Sequence, residues 1–382
     1  MNPNTGRTLA VRLDSDGDVL LTGPALRALA ATGSRVDLLV SPAGAAAGRL
    51  LPDVDDVLVF AAPWTGFDPP PVDAAGVADL VDRLRARHYD RAVVFTSFHQ
   101  SPLPMALLLR LAGIGWIAAD SIDYPGSLLD LRHHRRTGDS PEAGVDGAGA
   151  GGGHDIVEAA EGDRHEVLAA LDLARAAGAP ATTGTNLSVR RPLPDVSALI
   201  ASATAAGVPG SYGDRGYVVV HPGASVPARA PRAVDAAGIV RALRAADWPV
   251  VVTGGPGETA LTAAVAGVDG LDLGGRTDLA QLAAVLDGAA CVVVGNTGPA
   301  HLAAAVRTPV VSLFAPVVPA ARWAPWGVPT ILLGDQSARC RDSRARHCPL
   351  AGHPCLASID PAEVVAAVAT LAGVGEHLVG VG

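Results

Sequence analysis

The sequence contains no lysine; all 29 basic side chains among its 382 residues are arginine. Imine chemistry on a lysine amine is therefore closed to it, and the guanidinium is its only permanent side-chain cation. Cysteine is nearly as scarce, four residues with no CxxC pair, so a chain of this length has to be held by packing rather than by disulfides. Aromatic residues amount to 4%, too few for the stacking platforms that read single-stranded nucleic acid. Although 49% of the residues are hydrophobic, no apolar run has the length of a bilayer crossing. The longest, residues 103–119, is interrupted by Arg110, Gly113 and Gly115 and reads as a helix followed by a strand. The first residues lack a basic patch followed by an apolar block, and the expectation is a cytoplasmic protein. A net charge of −9 disfavours binding to a phosphate backbone, so no nucleic-acid partner is expected. The densest basic run, residues 132–136, borders a glycine-rich stretch. A GxGxxG dinucleotide fingerprint is missing from the strand-to-helix turns. With no amphipathic membrane helix evident, only peripheral contact with a membrane stays open.

What the sequence does contain is alternation. Runs of strand length near 9–13, 36–40, 57–60, 92–95 and 114–118 are separated by Ala/Leu-rich helical stretches at 24–31, 77–87 and 104–112. The second half repeats the scheme, with strands near 217–221, 250–253, 291–295, 310–314 and 330–333. Its helices fall near 234–245, 258–266, 279–286 and 299–306. Such alternation predicts parallel sheets covered by helices on both faces, two βαβ domains in succession. The glycine-rich segment 138–153 lacks the apolar surface to order itself and reads as a mobile surface loop. A helix at 164–176 follows, and the stretch 178–186, rich in Pro, Thr and Gly, has the composition of an interdomain linker. The expected domains are 1–183, 184–357 and a closing segment 358–382 whose helix is opened by Asp360, Pro361 and Glu363. That helix is free to pack back on the first domain.

In open α/β sheets, groups at the carboxyl ends of strands point into the ligand crevice, and four candidate segments sit at such ends. Residues 11–26 place Gly17 and Asp18 where the chain turns into a helix. Asp18 is positioned to face a substrate, although Asp14, Asp16 or Asp18 would serve equally as a helix cap. Residues 218–232 offer small residues at Gly223 and Ala224, a hydroxyl at Ser225 and a cation with fork geometry at Arg229. Together these suit a diphosphate, and as an alternative a plain turn with a solvated arginine. Residues 250–261 set Gly254, Gly255 and Gly257 before Glu258, which is placed either to cap its helix or to accept hydrogen bonds from a ribose diol. Residues 291–305 end a buried strand in Asn296, Thr297 and Gly298, with His301 one turn into the next helix. A helix start of that kind is an anion site, while an isolated histidine is more often an ordinary imidazole. A fifth cluster, Cys340, His347, Cys348, His353 and Cys355, has the residue types of a zinc site but matches no standard spacing, and no metal is assigned.

The order and spacing of GDVLLTGPALRAL, HPGAS, VVTGGPGE, DLGGRTDLAQLAAVL and GNTGPAHLAAAVRTPVVSLFAP, from Gly17 to Pro316, resemble glycosyltransferase family 9, the heptosyltransferase family. The stretch FTSFHQSPLPMALLLRLAGI, 95–114, resembles a subgroup other than the best-known lipopolysaccharide enzymes. The resemblance implies the GT-B architecture, two Rossmann-like domains with parallel sheets facing a central cleft. It also implies inverting, metal-independent transfer from an ADP-sugar, typically ADP-heptose, with no further cofactor. The acceptor would be a hydroxyl of a glycan, a glycolipid or a small natural product, in lipopolysaccharide-type glycan biosynthesis or a related process. On the family pattern Asp18 falls at the general base, Arg229 at a phosphate-binding lysine and Glu258 at a ribose-binding carboxylate. Thr297, Gly298 and His301 fall in the donor-binding motif. Asn296 stands where many members carry an acidic residue that contacts the donor sugar, and Ala230-Pro231 replaces the usual Trp-Pro. A GT-B nucleotide-sugar epimerase and a noncatalytic nucleotide-sugar-binding protein are the two alternatives.

Overall fold

A computed structural model describes residues 6–66, 68–97, 100–134, 155–158, 164–181, 184–205 and 216–379. The glycine-rich loop expected at 138–153 lies outside the described residues. The chain divides into two compact units, Met1–Thr185 and Asn186–Gly382, so the boundary falls within the linker-like stretch.

The first unit runs β1 (Arg7–Arg12), α1 (Asp16–Ala30), β2 (Arg35–Val40), α2 (Ala45–Leu50), β3 (Asp56–Val59) and α3 (Ala74–Ala86). It continues with β4 (Arg91–Phe95), α4 (Leu103–Leu111), β5 (Trp116–Asp120), β6 (Leu131–His134), β7 (Asp155–Glu158) and α5 (Glu166–Ala176). Its seven strands are parallel in the order β3-β2-β1-β4-β5-β6-β7. Continuous Val, Leu and Ala runs fit strands buried on both faces, and Leu9, Val11, Leu39, Val94 and Ile117 form the core of one side with α3 and α4.

Helix α1 begins at Asp16, a full two turns before the start expected near residue 24, and carries Pro24 in its interior. Proline there forfeits the amide that would bond the Leu20 carbonyl. Burial outweighs the loss: Val19, Leu20, Leu21, Ala25, Leu26, Ala28 and Leu29 are all buried, and α1 packs along α5. The consequence for chemistry is that Asp18 stands in the first helical turn rather than on a loop.

The second unit runs α6 (Ser197–Ala205), β8 (Tyr217–His221), α7 (Ala233–Ala245), β9 (Val250–Val252), α8 (Thr259–Ala266), β10 (Leu271–Asp272) and α9 (Leu279–Asp287). It closes with β11 (Ala289–Gly295), α10 (Gly298–Ala305), β12 (Val310–Leu313), α11 (Ala320–Trp323), β13 (Thr330–Leu333), α12 (Pro354–Ala357) and α13 (Pro361–Val379). Its parallel strand order is β10-β9-β8-β11-β12-β13. The sequence left α13 free to pack on the first domain; the structure places it in the second unit, against α7, β11, β12 and β13. Val364, Val368 and Leu371, spaced by three to four residues, bury one helical face in that core. Among the described residues no helix is long and apolar enough to cross a membrane.

Candidate active site

Each sheet reverses its winding once, between β1 and β4 in the first unit and between β8 and β11 in the second. A crevice opens at the carboxyl ends of strands where the order reverses, and the candidate residues cluster at these two points.

In the first unit Arg12 ends β1 with only 3% of its side chain exposed. Its Nε lies 2.8 Å from Asp14 Oδ2, and its Nη2 lies 3.2 Å from Asp18 Oδ1. The same Nη2 donates to Ser97 Oγ at 3.1 Å, which ties the end of β1 to the turn after β4. Asp18 keeps 22% of its side chain exposed and accepts a hydrogen bond from Ser15 Oγ at 2.9 Å. Thr22 Oγ1 donates to the Asp18 carbonyl and steadies that turn of α1. Asp16 is occupied elsewhere, accepting from the Ala47 amide at the start of α2. Asp14 accepts from Gln100 Nε2 at 2.7 Å, and its carbonyl accepts from Ser41 Oγ. Burial lifts the Asp14 carboxyl to about 6; Arg12 and Gln100 oppose the rise, and Asp18 and Glu166 add to it. The sequence had ranked Asp14 and Asp16 only as alternative caps, and it gave no sign of Arg12, Ser97, Gln100 or Glu166.

In the second unit the loop after β8 and the loop after β11 meet. A Cβ added at Gly295 would lie 2.5 Å from the Arg229 carbonyl oxygen, so only glycine lets the short helical turn Pro227–Arg229 rest on the end of β11. Arg229 is half-buried there, while Ser225, four residues earlier, is exposed. Glu258 closes the turn Pro256–Glu258 and precedes α8. Its Oε2 accepts from the Gly255 amide at 2.7 Å, and a Cβ on Gly223 would fall 1.9 Å from its Oε1. The segment after β8 thus meets the other two through glycines, the one after β9 at Gly223 and β11 at Gly295.

His221, the last residue of β8, pairs its Nδ1 with Thr253 Oγ1 at 3.0 Å. Burial pushes its imidazole down to about 4, partly opposed by the Glu258 charge. Asn296 turns its side chain inward: Nδ2 donates to the Ala315 carbonyl and Oδ1 accepts from the Ala315 amide, both at 3.4 Å. It braces the loop after β12. Thr297 precedes α10 in extended conformation, Gly298 opens the helix beside Pro299, and His301 in the first turn is 5% exposed.

The cysteine-rich segment supports the Arg229 turn. The Ala228 amide donates to the Arg346 carbonyl at 3.0 Å, and His353 Nε2 donates to the Ala228 carbonyl at 3.1 Å. Cys340, Cys348 and Cys355 are free thiols. Cys355 is pushed up to about 12 by burial and by its neighbours Cys340 and Cys348. Among the described residues no group of three His, Cys, Asp or Glu side chains is arranged to hold a metal ion.

Two Rossmann-like units in one chain, each with its polar residues gathered where the strand order reverses, define a GT-B protein. Residues 135–353 match glycosyltransferase family 9 (heptosyltransferase), more than half of the sequence, and the chain belongs to that family. Over 204 residues it is 30% identical to lipopolysaccharide heptosyltransferase 3 of Escherichia coli, a match covering 48% of this chain and 58% of that protein. The chain therefore spans less than two thirds of that relative. A family 9 glycosyl transferase from Veillonella parvula superposes with a TM-score of 0.70 at 15% identity, covering 97% of this chain and 98% of that one. An Escherichia coli heptosyltransferase solved with ADP-2-deoxy-2-fluoro heptose gives a TM-score of 0.58 at 21% identity, covering 86% and 94%.

Proposed function

We propose that the protein is an inverting glycosyltransferase that moves a sugar, heptose, from an ADP-sugar to a hydroxyl of a glycan, glycolipid or small natural product. The observation that carries this reading is the segregation of roles: a partly exposed carboxylate at one winding reversal, and a glycine-lined carboxylate with an arginine at the other. The donor named for one structural neighbour, an ADP-heptose analogue, supplies the nucleotide and the sugar.

In this scheme Asp18 takes the proton of the acceptor hydroxyl as its oxygen attacks the anomeric carbon. The bond from that carbon to the diphosphate breaks on the opposite face, ADP departs, and the sugar is inverted by a single displacement. Arg229 balances the charge that grows on the leaving diphosphate, together with the amides at the start of α10. Glu258 is fixed by the Gly255 amide and retains oxygen lone pairs for a ribose diol. No step requires a metal ion.

Calorimetric titration with ADP-, GDP-, UDP- and dTDP-sugars tests the donor assignment. The ADP-sugar should bind tightest, and Arg229→Ala should weaken it by about 10- to 100-fold, the worth of one charge-assisted contact. Preference for another nucleotide would overturn the donor, and unchanged affinity in R229A would remove the arginine from the diphosphate.

A further inference from the structure

Arg12 lies between two carboxylates that differ in surroundings. Asp14 is the more buried, with 10% of its side chain exposed against 22% for Asp18. The charged and polar groups around Asp14 are Arg12 at the end of β1, Asp18 on α1, Gln100 past β4, Glu166 at the start of α5, and Ser41 past β2, which donates to its main-chain carbonyl. We propose that Arg12 is a positioning residue for Asp18, and that Asp14, by holding or releasing its share of the Arg12 guanidinium, slows transfer in mild acid. The inference rests on the reading of Asp18 as the base.

The argument is one of competition for a single buried cation. With Asp14 ionised, the guanidinium is divided, Nε toward Asp14 and Nη2 toward Asp18 and Ser97. One Asp18 oxygen faces Arg12 and the other faces the Ser15 hydroxyl, a surface contact that an acceptor hydroxyl can displace. With Asp14 protonated, the pull of its charge on the Arg12 guanidinium is gone, and the cation binds Asp18 more closely. The acceptor hydroxyl must then compete with a guanidinium in a poorly solvated site, where such pairs are strong. Burial together with the charges of Asp18 and Glu166 holds the Asp14 proton up to about 6, which puts the switch near neutrality. Glu166, buried at 2% exposure, acts on Asp14 through its charge and gives a second handle on the same equilibrium.

Transfer rates measured across about pH 5 to 8.5 for wild type, D14N, E166Q and D18N test this, with saturating ADP-sugar and acceptor. Wild-type kcat should fall with a midpoint near 6. D14N, which fixes the uncharged form, should lose that limb and run at neutral pH about three- to tenfold slower, a fraction of what a general base contributes, with the donor KM unchanged. E166Q should move the limb to lower pH, because one of the charges that raises Asp14 is gone. A D14N profile that superimposes on wild type, or a raised donor KM at unchanged kcat, would overturn the inference, as would an unmoved limb in E166Q. If D14N fails to fold, the E166Q profile decides alone. D18N separates the two levels: an inactive D18N beside an unaltered D14N sinks only this inference, whereas an active D18N sinks the base assignment itself.

Discussion

His221 shows how one buried side chain ties binding geometry to stability. Its imidazole is held neutral by burial at the end of β8, with a folded value of about 4 against an ordinary 6.5. The unfolded chain takes up a proton below that ordinary value and the folded chain does not. The stabilisation is therefore complete above 6.5 and is lost as the pH falls through about 4. Urea denaturation of wild type and His221→Gln at about pH 7 and about pH 5 should show the variant losing less stability on acidification, by roughly 2 kcal/mol. Equal losses would mean that the imidazole titrates alike in both states. At this scale the sequence singles out residues beside glycine and proline at strand ends, Asp18, Arg229 and Glu258, as candidates. It hid those reached across the fold: Ser97 meets Arg12 from 85 positions away, and Glu166 comes to Asp14 on a helix that follows the whole first sheet. Its place in a motif makes Asn296 an expected donor contact, and its amide also bonds the backbone of Ala315 on another strand's loop.

Between elements, glycine sets the distances. Gly295 allows the Pro227–Arg229 turn to sit on β11, and a methyl group there would meet backbone oxygen, which cannot swing aside. Gly295→Ala should destabilise the fold by about 1–3 kcal/mol through overpacking and weaken nucleotide diphosphate affinity by displacing Arg229. Gly257→Ala, where an added Cβ meets nothing within 4 Å, is the control. Chemical denaturation and calorimetry on both variants check this, and a wild-type G295A would contradict it. Long β-branched runs made the central strands legible, because burial on both faces demands them. Others were not: β6 carries Leu-Arg-His-His and β10 has two residues, so neither shows a strand's apolar signature. The early start of α1 escaped notice because Pro24 marks a helix start in isolation, whereas packing against α5 decides it here.

Across the whole molecule, the repeated alternation of strand and helix announced parallel α/β sheets; the change to Pro/Thr/Gly-rich sequence sets the expected boundary at 183/184, and the structure divides at 185/186. The strand orders, with their reversals at β1/β4 and β8/β11, depend on pairings between distant segments and became visible only in three dimensions. Under the proposed function they give the separate motifs a common logic, since sugar transfer needs a base for the acceptor and an anchor for the departing nucleotide. The direct test uses ADP-heptose labelled in the sugar, incubated with a glycan and lipid extract of the source cells and either wild type or Asp18→Asn. The account predicts label transferred to the extract and ADP released by wild type, with D18N binding the donor at wild-type affinity and transferring none. Transfer by D18N at near the wild-type rate, or release of an altered sugar without any acceptor, would contradict it.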